Sequence, residues 1–519
     1  MGHDWGTQPI DGADAASDPD GVRAFCGAAG HEGLFMKPRM LTVVFVLTVT
    51  LSGCQAIGPE YEAPSLESDE AWSASDENLF NVATPESIET WWVTLDDAVL
   101  NDLIERSFAA NLDLATAVQS VRQAAAIRGV SAAERFPDLD GTGSYSREQQ
   151  GQNGFPALND PAEFDFFALG LEFGWELDVW GRVRRLVESA DADLAAAVED
   201  LHDVRVLLAS EVASEYVGLR TAQARLDVAL RNIEIQQQSL TLTKTRFDAG
   251  AAPQLDVAQA ETNLANTEAE LPSLQADVRD GLLRLAVLLG DNPTSLLEEL
   301  SAVGPIPTPP TEVVIGIPAD TLRRRPDIRS AERTLAAEVA RIGVELGDLY
   351  PRFSLGGSFE FNSTDADSWF DADSFNFGFG PAFSWNLFDG GRERSEVRAQ
   401  EAAADIALLS YRSSVLNAIE EVESATYRHA RQLERTAALA RASAAAQQSA
   451  DLSRQLYLEG RSDFQNVLDS ERELFTAQDN LILSQSEVTT TYITIQRSLG
   501  GGWSPASTTA QEEANGVEE

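Results

Sequence analysis

The sequence predicts an α+β membrane protein built from two copies of one unit, each unit a pair of strands joined to a pair of long helices. Three observations carry this expectation. Stretches such as FDFFALGLEFGWEL alternate large apolar residues with small or acidic ones over roughly ten positions, the length a tilted strand needs to cross a bilayer. Residues 182–248 and 392–458 contain no proline, and Gly218 is the single glycine within them. Trp175, Leu177, Gly181 and Arg182 return 210 residues later as Trp385, Leu387, Gly391 and Arg392.

Taken in order, the chain opens on an acidic stretch, and an address follows it at residues 36–54, MKPRMLTVVFVLTVTLSGC. Lys37 and Arg39 form a basic region, Leu41 to Leu51 an apolar one, and Leu51-Ser52-Gly53 a small-residue cleavage site, which together read as a secretory signal starting at Met36. The closing Leu-Ser-Gly-Cys resembles a bacterial lipobox, which implies that residues 1–53 are removed and that Cys54 carries lipid. Gln55, where an Asp commonly retains such lipoproteins at the inner membrane, is compatible with export to the outer one. Residues 54–90 read as an extended leader. The first repeat is expected over 91–299 and the second over 319–502, joined by a linker at 300–318 whose prolines oppose a helix. Residues 503–519 read as an acidic, disordered tail.

Within the repeats the register is long. Phe247 and Gly250 recur as Tyr457 and Gly460, and Leu289-Gly290 recurs as Leu499-Gly500, all at an offset of 210. Upstream, Asp113 and Phe136-Pro137 match Asp327 and Tyr350-Pro351 at an offset of 214, which places a four-residue insertion in the loop within EQQGQNGFPALNDPAE. Phe167, Leu169, Leu171, Phe173, Trp175 and Leu177 form one face of a strand, with Ala168, Gly170, Glu172, Gly174 and Glu176 on the other. Two further strands follow the same rule in the second half, at 353–361 and 375–387, and the weakest is expected near Leu139 to Ser146. Period two with one greasy face fits an antiparallel sandwich or a transmembrane barrel. Strand length and the Gly, Ser and acid content of the second face favour the barrel. A few strands cannot close a barrel alone, and lipid tolerates no open edge, so several copies are expected to share one wall. Trp175 and Trp385 suit an interfacial aromatic girdle.

The helices 182–248 and 392–458 would each reach about 100 Å at ~1.5 Å per residue. Their shorter partners are expected near 253–290 and 463–499, with Pro272 bending the first. Apolar residues spaced by three and four, such as Leu408, Tyr411, Val415, Ile419 and Val422, give the seam of packed helices. Gly250 and Gly460 are placed to cap the long helices in a left-handed conformation.

Composition excludes several classes. The formal charge of −45 repels nucleic acid. Cys26 and Cys54 cannot make a disulfide framework, and His3, His31, His202 and His429 show no metal-ligand spacing. The sequence shows no nucleophile–base set, phosphate loop or metal cluster, so an enzyme is not expected.

Several motifs together resemble the TolC-type outer-membrane efflux factors, in the lipid-anchored branch that includes NodT and OprM. They are Trp91-Trp92 with Leu100 and Leu103, Asn111-Leu112-Asp113-Leu114, WELDVWGRVRR at 175–185, and IPADTLRRRPDIRSAER at 317–333. Tyr350-Pro351, LFDGGR at 387–392 and VLDSERELFTAQ at 467–478 complete the set. The resemblance implies a homotrimer in outer-membrane lipid. Four strands from each protomer would form one β-barrel, continued by a periplasmic α-helical barrel that docks through a periplasmic adaptor to an inner-membrane pump of the resistance-nodulation-division class. It implies a passive exit duct for drugs or small toxic molecules, without cofactor. A duct for one-step protein secretion and a non-conducting lipid-anchored scaffold are the alternatives. It further implies that the helix-hairpin tips around Gly250, Ala251, Gly460 and Arg461 touch the adaptor, and that Asp469, Arg472, Asp256 and Tyr457 act at a periplasmic gate. Where some relatives carry an acid and an Arg, this chain has Asn466 and Ser462, which implies a differently arranged lock. The RRRPDIRSAER stretch reads as a structural joint, with Pro326 starting a helix and Asp327 in its first turn.

Overall fold

The computed structural model describes residues 56–65, 72–73, 80–82, 88–150, 162–316 and 318–504. The signal, Cys54, the loop at 151–161 and the tail from 505 onward lie outside the described residues.

The elements are β1 (Phe80–Val82), α1 (Ala98–Ala110), α2 (Leu112–Ala133), β2 (Asp138–Gln150), β3 (Ala162–Leu177), α3 (Arg182–Asp248), α4 (Gln254–Leu288), β4 (Val313–Ile315), α5 (Pro318–Arg324), α6 (Pro326–Asp348), β5 (Arg352–Ser363), β6 (Phe375–Ser384), α7 (Arg392–Leu458) and α8 (Phe464–Ser498). A 3-10 segment, Ile88–Leu95, precedes α1. The long helices α3 and α7 have 67 residues each, with the expected bounds, and α4 and α8 have 35 each. Pro272 lies inside α4, which runs on past it to Leu288.

Both long helices start the same way. Gly181 and Gly391 take φ of 87° and 90°, a left-handed turn that a Cβ would strain. An aspartate just upstream then caps the free backbone N–H groups: Asp178 accepts from Val183 and Arg184, and Asp389 from Gly391 and Glu393. The anchoring tryptophans also behave alike. Trp175 Nε1 donates to the Arg135 carbonyl at 3.0 Å and Trp385 Nε1 to the Leu349 carbonyl at 3.1 Å, each two residues before a proline.

β2, β3, β5 and β6 form a four-stranded sheet in that order, antiparallel throughout. Register aligns the odd positions: Leu169 faces Phe361, Phe361 faces Phe375, Leu171 faces Phe359 and Phe359 faces Phe377. One face is therefore a continuous apolar surface, and its aromatics are exposed, Phe377 at 72% and Phe383 at 70%. The other face carries Asp140 opposite Glu172 and Gly170 opposite Glu360. β2 continues past Ser146 to Gln150 because Arg147 pairs with Glu163 at 2.9 Å and Tyr145 donates to Asp165 at 2.9 Å.

The helices pack side by side. α3 packs on α2 and α4 to one side and on α6 and α8 to the other, and α7 packs on α6 and α8. Asn111 joins α2 to α4 by donating to the Leu288 carbonyl at 2.8 Å, so the two stack end to end. The main core lies where these helices meet, around Trp91, Leu100, Leu103, Ile104, Tyr216, Leu285, Tyr492 and Ile495. This places the Trp-Trp and Leu-x-x-Leu signals in packing.

Three boundaries shift from expectation. The leader holds β1, which pairs in parallel with β4 of the linker, and Trp72 is buried with its Nε1 donating to the Gly316 carbonyl at 2.7 Å. An apolar indole with one polar tip finds a pocket that no local pattern announces. The folded body extends through Trp503, which is 2% exposed and stacks on His202 at 4.5 Å, so the tail begins later than 503. The 300–318 linker closes on the first residue of α5, Pro318, a favoured helix start.

Candidate channel aperture at the helix-hairpin tips

At the end of the helices remote from the sheet, two hairpins turn in the same manner. Gly250 and Gly460 take φ of 70° and 71°. Gly250 N–H donates to Phe247 O and Ala251 N–H to Arg246 O; Gly460 N–H donates to Tyr457 O and Arg461 N–H to Leu456 O. Each pair satisfies carbonyls left over at the helix end, in a Schellman-type arrangement. Ala251 and Arg461 are exposed, and Arg461 pairs with Glu459 at 3.0 Å.

Behind the tips lies a small apolar cluster of Ala260, Tyr457, Phe464, Val467 and Leu468. Tyr457 is 4% exposed and packs on Phe464 at 5.2 Å. Arg246 of α3 reaches across to α7: its guanidinium lies 4.5 Å from the Tyr457 ring centre and donates to the Tyr457 carbonyl at 2.7 Å. The hairpins are thus tied through Tyr457, but by its ring and carbonyl. Its hydroxyl is buried and meets no partner within the described residues. Burial pushes the Asp256 carboxyl above its ordinary range, Asp463 adds to the shift and Arg246 opposes it.

Asp469 and Arg472 share one exposed face of α8 and stand 3.9 Å apart, a loose pair. Each has a better partner: Asp469 accepts from Gln465 at 2.9 Å, and Arg472 Nε donates to Asn263 of α4 at 2.8 Å. Asn466 donates to Ser462 at 3.0 Å. Deeper in, Glu471 is 2% exposed, accepting from Ser239 at 2.6 Å and from Arg454 at 3.0 Å. Arg246, Asn263, Ser239 and Glu471 escaped the sequence reading. The 210-residue recurrence of Ser239 as Ser449 and of Glu261 as Glu471 marked two of them.

The geometry is that of a wall whose lower rim carries exposed acids and arginines and whose upper rim is a lipid-ready sheet. Comparison with known proteins decides what such a wall belongs to. The family model described as outer membrane efflux protein matches residues 103–291 and 317–501. The chain belongs to the outer membrane efflux protein family. It is an outer-membrane efflux channel. Nodulation protein T of Rhizobium leguminosarum bv. trifolii is 32% identical over 461 residues, covering 89% of this chain and 97% of the relative. The solvent efflux pump outer membrane protein SrpC of Pseudomonas putida is 30% identical, over 90% of this chain and 99% of its own length. Among solved structures, the outer-membrane channel OprN superposes with a TM-score of 0.79 at 38% identity, covering 86% of this chain and all of that one. In this efflux channel the two halves of the family match flank the β4 linker, and the aperture residues fall inside both.

Proposed function

We propose that this channel is the exit duct of a tripartite efflux pump. Three copies join their sheets into one twelve-stranded barrel, and their helices form a tunnel across the periplasm. Its tips at Gly250, Ala251, Gly460 and Arg461 dock on a periplasmic adaptor beneath which an inner-membrane pump of the resistance-nodulation-division class supplies the energy. Cys54 holds the lipid anchor, and drugs or other small toxic molecules are the cargo. The pump relatives named for solvent efflux favour small apolar compounds.

The observation that carries this reading is the sheet. Its apolar face runs unbroken across β3, β5 and β6, and among the described residues the outer edges of β2 and β6 are unpaired. Each unpaired backbone group would cost several kcal/mol in hydrocarbon, so only added copies can satisfy them. Asp469, Arg472, Asp256 and Tyr457 serve the gate: a threefold ring of Asp469 carboxylates in a narrow neck attracts cations and repels anions.

The test is single-channel recording in planar bilayers together with the native mass in detergent. A trimer with a small conductance that cations block is expected, and Asp469→Ala weakens the block. A detergent-independent monomer without conductance would overturn the duct, and a trimer whose cation block ignores Asp469→Ala would overturn the gate assignment alone.

A further inference from the structure

A groove of about 690 Å³ lies among the leader, α3, α6 and α7, with Arg323 of α5 at its margin. Its arginines have donors to spare. Arg329 gives Nε and one Nη to a single oxygen of Glu199, and Arg333 gives one N–H to Glu332, which also accepts from Tyr61 at 3.0 Å. Arg323 makes no hydrogen bond among the described residues, and its ion pair with Asp320 is a loose 3.9 Å. Each guanidinium carries more N–H groups than these contacts use. Two deeply buried polar side chains line the same groove with bonds unmade. Glu199 is 7% exposed and its Oε2 has no partner; Tyr411 is 4% exposed and its hydroxyl has none among the described residues. A buried polar group left unpaired is costly. The groove therefore suits an occupant that brings carboxylates to the arginines and a few N–H or O–H groups to Glu199 and Tyr411. An acidic peptide brings both.

We propose that residues 505–519 are this occupant, an acidic segment that folds back into the groove beside its own exit. Position supports it. Arg324 holds the Trp503 carbonyl at 3.3 Å, and Arg329, itself a groove residue, lies 5.4 Å from the Trp503 ring centre. The segment after Ser504 thus starts at the edge of the groove. At up to ~3.5 Å per residue, Glu512 and Glu513 reach about 28 Å from Ser504, well beyond the size of the groove. Charge agrees. Residues 505–519 hold Glu512, Glu513, Glu518 and Glu519 and no Lys or Arg. On a chain of net charge −45 most of the surface repels such a segment, and unspent guanidinium donors attract it. Thr508, Thr509 and the backbone N–H groups supply the donors that Glu199 and Tyr411 lack. Tethering raises the effective concentration to roughly millimolar, which keeps even a weak contact filled. Filled, the groove ties the leader to α3, α6 and α7 through a fifth segment. Emptied, it is a receptor for acidic peptides from outside the chain. The proposal does not depend on how many copies assemble.

The experiment compares the detergent-solubilised full chain with the same chain carrying Glu512→Gln, Glu513→Gln, Glu518→Gln and Glu519→Gln, each checked for native mass. The probe is a fluorescent synthetic peptide of residues 505–519, read by anisotropy at low and high salt. The peptide should bind the glutamine variant, bind the full chain at least about tenfold more weakly because the chain's own segment competes, and be released by salt. Adding Arg323→Ala and Arg333→Ala to the glutamine variant should cost about tenfold in affinity. Absence of binding to the glutamine variant, or equal binding to both chains, would overturn the segment as occupant. Affinity unchanged by the arginine substitutions would overturn the groove as its site. Polyglutamate binding the full chain as tightly as the glutamine variant would show a groove open to outside acidic partners and overturn the self-docked segment. Should the arginine substitutions disturb the native mass, Tyr411→Phe, which removes a single hydroxyl, is read in their place; weaker binding is expected, and unchanged binding would overturn the proposal.

Discussion

Replacing Arg325 with Met should loosen the joint on which the second half hangs. Arg325 precedes Pro326, the first residue of α6, and is 8% exposed. It donates to both Asp327 oxygens at 3.0 and 2.8 Å, to Glu421 of α7 at 2.8 Å and to the carbonyl of Ser498 at the end of α8 at 2.8 Å. One guanidinium therefore ties three helices. Methionine keeps the stem but leaves two carboxylates facing each other beside Asp203, whose own carboxyl burial already pushes up to about 6, with Arg325 holding it down. Removing one partner of a buried ion pair costs about 3–5 kcal/mol. Since Asp327 and Glu421 are 34% and 43% exposed, water relieves part of this, and a loss of about 2–4 kcal/mol is expected. Arg325→Lys keeps the charge without the planar fork and should lose about half as much. The assay is guanidinium unfolding of the detergent-solubilised protein at pH 5 and pH 8. The loss should be larger at pH 8, where Asp203 is ionised with no guanidinium beside it. A loss below about 1 kcal/mol, or one independent of pH, would refute the clamp.

Three other predictions follow from buried groups and from the sheet. The folded-state pKa of Asp203 is raised above its ordinary 3.8 to about 6, so the folded protein binds the extra proton and stability falls as pH rises through that window. Asp203→Asn should therefore add about 1–3 kcal/mol at pH 8 and almost nothing below pH 4, as read from unfolding midpoints. His429 has the opposite sign: burial lowers it from 6.5 to about 4, so stability is lost as pH falls from about 6.5 toward 4, and His429→Gln, still able to bond Thr491, should flatten that limb. Phe377→Arg places a charge on the apolar face of β6, where about 2–4 kcal/mol is lost near the bilayer midplane; the amount of folded channel in the outer membrane should drop, and unchanged insertion would show that this face does not meet lipid.

Much of this protein is local and was readable as such. The bounds of α3 and α7 fall between glycine turns, Gly181 to Gly250 and Gly391 to Gly460, because a helix is set by propensity along its length and stopped where glycine takes a left-handed turn. The strands announced themselves by period two, since pleating alternates side chains between the two faces of the sheet whatever the partner strand. The recurrence of Trp175 as Trp385 and of Glu261 as Glu471 was also visible in one dimension.

What only the tertiary structure decided is which distant residues meet. That β3 pairs with β5 across the whole of α3 and α4, that β1 of the leader pairs with β4 of the linker, and that Trp503 stacks on His202 depend on contacts between segments hundreds of residues apart. The hairpin link shows the physical reason most directly. Arg246 meets the Tyr457 ring and carbonyl, a contact that no motif announced, because reach and donor geometry are settled by how two helices lie against each other and not by the residues that flank them along the chain.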